Sequence, residues 1–223
     1  MKTINYLSYL ALIPVFSAIA AFIFKKYFNP DHLFFKNGVA LSCAIICLFI
    51  VLFVQPDEGN LWLLILAFIL SPAGDWYIRN RSNDKHFILG IIFFWLAHLG
   101  FFLYALSKAA FSRGLFIIIL VPFLLLHILV FLPSERLKGN RQLSFITLMY
   151  VLISCLSLTA AFNLNSLAPA YWLFPAGIAS LVISDLIIAL GTFLNVNKRV
   201  NLYLALYYLS HILILLSVLL AIE

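Results

Sequence analysis

The sequence predicts an all-α, polytopic integral membrane protein with eight transmembrane helices in a single domain, residues 1–223. Three observations carry that expectation: the share of apolar residues, the length of the apolar runs, and the polarity of the breaks between them. Of 223 residues, 65% are hydrophobic and 10% charged, whereas a soluble domain holds about 45–50% apolar and about 25% charged residues. A chain this short has too much surface to hide that excess from water. Lipid is therefore the solvent for most of it. The net charge of +6 does not lead to nucleic acid, because no basic stripe or zinc-finger spacing accompanies it. Cys43, Cys47 and Cys155 all lie inside apolar runs, which argues against a disulfide framework.

A hydrocarbon core about 30 Å thick takes a helix of roughly 17–25 residues. Runs of that length fall at about 4–24, 38–54, 61–79, 87–106, 114–132, 142–162, 169–194 and 201–222. The first lacks a small-residue cleavage site and precedes further spans, so it reads as a retained helix rather than a signal peptide. It stops at KKYFNPDHLFFKN. The second places Cys43 and Cys47 on one face and stops at QPDEGN; the third holds Pro72 and Asp75 and stops at RNRSNDKH. The fourth contains His98 and ends at SKAAFSR, and the fifth contains Pro122 and His127 and ends at PSERLKGNR. The sixth ends at NLNSLA, the seventh carries Asp185 and ends at NVNKRV, and the eighth carries Tyr207, Tyr208 and His211. None shows the alternation of a membrane barrel strand.

An even number of spans puts both termini on one side, and basic residues choose the side. The loops after the odd-numbered helices hold Lys25, Lys26, Lys36, Arg79, Arg81, Lys85, Arg136, Lys138, Arg141, Lys198 and Arg199. The opposite side holds only Lys2, Lys108 and Arg113. These loops are expected in the cytoplasm, with both termini outside, and the expected location is the cytoplasmic membrane of a bacterium.

Spacing also exposes an internal correspondence. Trp62 stands thirteen residues before Asp75 in the third helix, and Trp172 thirteen residues before Asp185 in the seventh. Tryptophan favours the membrane interface, so each Asp is placed about 20 Å below the outer surface at about 1.5 Å per residue. Pro14 and Pro122 sit at similar depths in the first and fifth helices. An offset of four helices preserves direction, so these markers point to a four-plus-four arrangement of parallel repeats.

An ionised Asp at membrane depth costs about 2.5–3.5 kcal/mol even on the lenient insertion scale, which makes each a functional hypothesis. Asp75 and Asp185 are the candidate catalytic pair. Were the two carboxyls to meet, one would hold its proton, giving an acid and a base in a cavity with little water. Both could instead be neutral structural groups. His98 and His211 reach near the midplane, and His127 reaches the Asp level. Each is a candidate proton partner or substrate contact. No two share a helix and no dense ligand motif appears, so no metal or other cofactor is expected. Ser71, one turn before Asp75, Ser184, and Tyr207, one turn before His211, are further candidates for the same cavity. Lys36, Arg79 and Arg81 are the candidates for a lipid phosphate. Gly177, Ser184 and Gly191 recur every seven residues, a stripe better suited to close helix packing than to chemistry.

At these residues the sequence resembles the lysoplasmalogenases, also called YhhN-like proteins. The resemblance rests on Gly74-Asp75, Gly90 and His98, Gly177 with Ser184-Asp185, and Tyr207, and it spans roughly residues 36–215. It departs from the family at Asn37, where Pro is usual, at Phe101, where Tyr is frequent, and at His211, where Gln is common. The resemblance implies a polytopic hydrolase that cleaves the vinyl ether bond of lysoplasmalogens to a fatty aldehyde and a glycerophospho-head group. It implies Asp75 and Asp185 as the acid–base pair, no cofactor, and a lysophospholipid-type substrate and bilayer lipid as partners. Two other classes suit the same residues: a proton-coupled secondary transporter of a small or lipid-like substrate, and a metal-dependent lipid hydrolase built on the histidines.

The charge asymmetry yields a direct expectation. A single cysteine introduced in the 133–141 loop should escape a membrane-impermeant thiol reagent in intact cells, whereas one near Glu223 should react. Labelling of the loop from outside would reverse the orientation.

Overall fold

A computed structural model describes residues 6–27, 33–56, 59–79, 83–164, 169–194, 196 and 200–222. Among these residues the chain is helical, with no strand. A 3-10 segment, Tyr6–Ala11, leads into α1 (Leu12–Tyr27). α2 (Leu33–Phe49) continues as a π-turn at Ile50–Val54. Then follow α3 (Leu61–Ile78), α4 (Asp84–Lys108) and α5 (Arg113–Leu126), which passes into a second π-turn, His127–Phe131. The short α6 (Glu135–Lys138) precedes α7 (Arg141–Asn163), α8 (Leu173–Phe193) and α9 (Val200–Ala221).

The protein is an integral membrane protein. Seven helical segments among the described residues are long and apolar enough to cross a membrane, and they match the second to eighth expected spans. The first apolar helix, Leu7–Ile23, is shorter than a full span. Its first turns are 3-10 rather than α, and Pro14 supplies no amide hydrogen to the carbonyl of Leu10 in the turn before it. Helix starts are set by side-chain caps in the breaks. Asn83 accepts from the amides of Lys85 and His86, Ser112 from that of Leu115, and Asn140 from that of Leu143, each satisfying donors that the first turn leaves unpaired.

α3 packs most closely on α4, and α8 on α9. Small residues allow both approaches. A Cβ added to Gly90 of α4 would lie 2.5 Å from Cγ1 and 2.9 Å from the backbone N of Ile78 in α3. A Cβ on Gly177 of α8 would lie 2.9 Å from the carbonyl oxygen of Ser210 in α9. Without a large interhelical hydrophobic drive in lipid, such backbone proximity supplies the dispersion contacts that hold helices together. The basic side is fastened by a polar clasp. Arg136 donates to Asp84 Oδ1 at 2.7 Å and Asn140 to Asp84 Oδ2 at 3.0 Å, joining the start of α4 to α6 and α7.

α5 is the exception to this packing. None of its fourteen residues is buried, and it rests mainly on α7.

Gly90→Ala should push α3 from α4 and lower the melting temperature in detergent, at a cost of about 1–3 kcal/mol. Gly114→Ala, where an added Cβ meets nothing within 4 Å, should melt at or above the wild-type temperature. Equal melting temperatures for the two variants would remove the close approach as a determinant of stability.

Candidate active site

The two aspartates occupy two linked clusters, each built from a carboxyl, a phenol and an imidazole. Asp185 comes from the middle of α8. The Tyr150 hydroxyl of α7 donates to its Oδ2, and His98 Nε2 of α4 stands 3.5 Å from the same oxygen. His98 is fully buried and its other nitrogen, Nδ1, lies 2.8 Å from Ser157 Oγ. Ser157 donates its single proton to the carbonyl of Ser154 at 3.0 Å. Its oxygen is then an acceptor for His98 Nδ1–H, and that bond sets the imidazole tautomer. Nε2 consequently faces Asp185 as the open nitrogen, so one proton can be shared between the two groups. The Tyr150 ring lies edge-on to the imidazole at 5.5 Å and holds its plane.

Asp75 comes from α3 and is 3% exposed. The Tyr207 hydroxyl of α9 interacts with its carboxyl, and His211, one turn further along α9, lies within its field. The His211 ring stacks at 4.4 Å from Tyr207 and 5.5 Å from Phe68. Its Nδ1 lies 2.8 Å from the carbonyl of Tyr207. That carbonyl accepts the Nδ1 proton, which again leaves Nε2 as the open nitrogen.

A cavity of about 110 Å³ reaches Asp185 from the basic half of the bundle. Its lining is hydrocarbon and aromatic apart from Asp185, Tyr150, His127, Thr147 and Ser154. No Lys or Arg lines it, so protons rather than fixed cations balance charge there. Asp75 does not line this cavity. Among the described residues no three of His, Cys, Asp and Glu converge as a ligand set.

The residues singled out by sequence separate accordingly. Asp75, Asp185, His98, His211 and Tyr207 come together, while His127 faces Asp185 across the cavity from the π-turn after α5. The two carboxyls do not share one hydrogen bond, as a simple meeting would require; each has its own phenol and imidazole. Ser71 donates to the carbonyl of Ala67 at 2.9 Å and Ser184 to that of Tyr203 at 2.9 Å. Both hydroxyls brace helices. Arg79 is exposed at the end of α3, Lys36 lies on α2 with its side chain outside the described residues, and Arg81 lies outside them altogether. Tyr150 and Ser157 were not anticipated. Their signal is a polar stripe on the sixth span, Thr147, Tyr150, Ser154 and Ser157, spaced three, four and three, which is one face of a helix.

Neither a curated protein nor a solved structure matches the chain significantly. The sequence matches the YhhN family over residues 35–218, a stretch that contains both carboxyl clusters and every wall of the cavity. The chain therefore belongs to the YhhN family.

Proposed function

We propose that the protein is a membrane-embedded hydrolase of the lysoplasmalogenase type, which cleaves the vinyl ether bond of a lysophospholipid. The observation that carries the proposal is a hydrocarbon-lined cavity ending at a carboxyl, Asp185, that stands 3.5 Å from His98 Nε2 and is held by Tyr150. An apolar ligand reaching such a carboxyl meets a proton donor and little else.

The chemistry follows from that encounter. Asp185 gives its proton to the alkene carbon remote from the ether oxygen, and the π electron pair forms the new C–H bond. The positive charge spreads over the adjacent carbon and the ether oxygen. Asp185, now a carboxylate, takes a proton from water as the water oxygen bonds to that carbon, which restores the acid. The hemiacetal then loses its glycerol oxygen, giving a fatty aldehyde and a free glycerophospho-head group. Asp75 is the second carboxylate. It lies near Tyr207 outside the cavity lining, and its negative charge favours the cation through the low-dielectric interior, which strengthens the interaction. His98 orients Asp185 and buffers its proton, with Ser157 holding the imidazole in place.

Asp75→Asn and Asp185→Asn preserve size and much of the hydrogen bonding. Each should give a membrane-inserted protein with a wild-type or slightly raised melting temperature, since a buried carboxyl is lost. Turnover of lysoplasmalogen should fall about 10²-fold or more in each. The double variant should be little worse than the worse single one, because the groups act as a unit. Near-normal hydrolysis by a well-folded Asp185→Asn protein would remove the proposed acid.

A further inference from the structure

One helix of the bundle has no packing reason for its position. Only 11% of the span Arg113–Phe131 is buried, against 44–56% of each of the other six full-length spans. Yet Phe123, Leu126, His127 and Phe131, from α5 and its π-turn, form one wall of the cavity, and Val182, Leu186, Ala189 and Phe193 of α8 form another. α5 and α8 make no substantial direct contact. The cavity is therefore the space between them, and α5 stands as a loosely held panel between that space and the bilayer. A π-turn within a helix is itself a frequent mark of a functional position. This one turns His127 and Phe131 inward, where both are buried.

The basic end of the cavity is closed differently. Phe193 meets Phe87 edge to face at 5.9 Å and Phe131 at 6.1 Å. Above them the Arg136 guanidinium, which also donates to Asp84 at 2.7 Å, lies 4.7 Å from the centre of the Phe87 ring. Aromatic rings narrow that end, and the guanidinium, with five donors, can serve a phosphate as well as Asp84. From Phe193 to Asp185 is eight residues of α8, or about 12 Å along the helix. A lysophospholipid separates its phosphate from its first chain bond by one glycerol unit, so a phosphate on the Arg136 side directs that bond along the cavity toward Asp185. The seam is then the course open to the rest of the chain.

We infer that the seam between α5 and α8 is a lateral gate to the bilayer, and that it binds the hydrocarbon chain of a single-chain phospholipid whose phosphate lies on the Arg136 side. The inference rests on the lipid-hydrolase proposal for the kind of ligand, but its location is independent of the reaction. Substrate reaches Asp185 sideways from lipid, and the residues of the seam set chain preference.

Photolabelling separates the two. Purified protein in nanodiscs is irradiated with a stable acyl lysophospholipid carrying a diazirine midway along its chain, and adducts are mapped by mass spectrometry. Adducts should concentrate on Phe123–Phe131 and on 182–193, over the lipid-facing Ile117 and Ile118, which are 58% and 70% exposed. Ala189→Trp, which fills the cavity from the α8 wall, should reduce labelling of those segments about tenfold, equivalent to about 1.4 kcal/mol of binding. Ala189→Leu is the milder substitution if the Trp variant fails to assemble, and it should reduce labelling in the same segments. Gly114→Ala protein should label like wild type, because an added Cβ there meets nothing within 4 Å. Labels spread evenly over the outer helix faces, or unchanged by a well-folded Ala189 variant, would overturn the gate. Seam labelling without vinyl ether hydrolysis would keep the gate and remove the proposed reaction.

Discussion

A carboxyl group inside hydrocarbon must find hydrogen-bond donors within the protein, because no water is there to supply them. Asp75 and Asp185 meet this requirement with partners from distant parts of the chain. Asp185 of α8 takes Tyr150 from α7 and His98 from α4. Asp75 of α3 sits near Tyr207 and His211, both from α9. Each aspartate thus has a histidine from a helix distant in sequence. Placing two buried acids ties these distant helices together, and the packing around them reads as the means of keeping the clusters in register.

The glycines fit this role. Gly74 directly precedes Asp75, and an added Cβ there would lie 2.9 Å from the Phe94 ring, a ring that also lines the cavity. Gly90 brings α4 onto α3 one helical stretch below His98. Gly177 brings α9 onto α8 opposite Ser210, the neighbour of His211. A hydrogen bond tolerates only a few tenths of an ångström of displacement. Interhelical spacings held by backbone contact, with no flexible side chain to yield, can keep two such clusters aligned through a membrane span. α5 lies outside this scheme, and the bundle leaves its cavity on that side.

The acids and imidazoles were legible in the sequence because an ionisable residue in an apolar run has no bland reason to be there. Tyr150 and Ser157 were not legible in the same way. Tyrosine and serine are ordinary in membrane helices, and only the periodicity of the α7 stripe marks them. Ser71 and Ser184 failed for the opposite reason. Spacing puts a side chain on a face but cannot say that a backbone carbonyl has already taken its proton. The role of α5 was hidden by its own composition. It belongs to the most hydrophobic span, with mean hydropathy 2.9, and a helix apolar all round can be central or peripheral with equal ease.

Protonation of carbon is what distinguishes this chemistry from ester hydrolysis, and isotope can report it. Purified protein is incubated with a long-chain lysoplasmalogen in deuterated water, with an acyl lysophospholipid in parallel, and the products are weighed by mass spectrometry. A carboxylic acid acting on the alkene should release fatty aldehyde bearing one deuterium on the carbon next to the carbonyl, and should release no fatty acid from the ester. Fatty acid from the acyl substrate with no aldehyde from the vinyl ether would contradict the two-carboxylate mechanism.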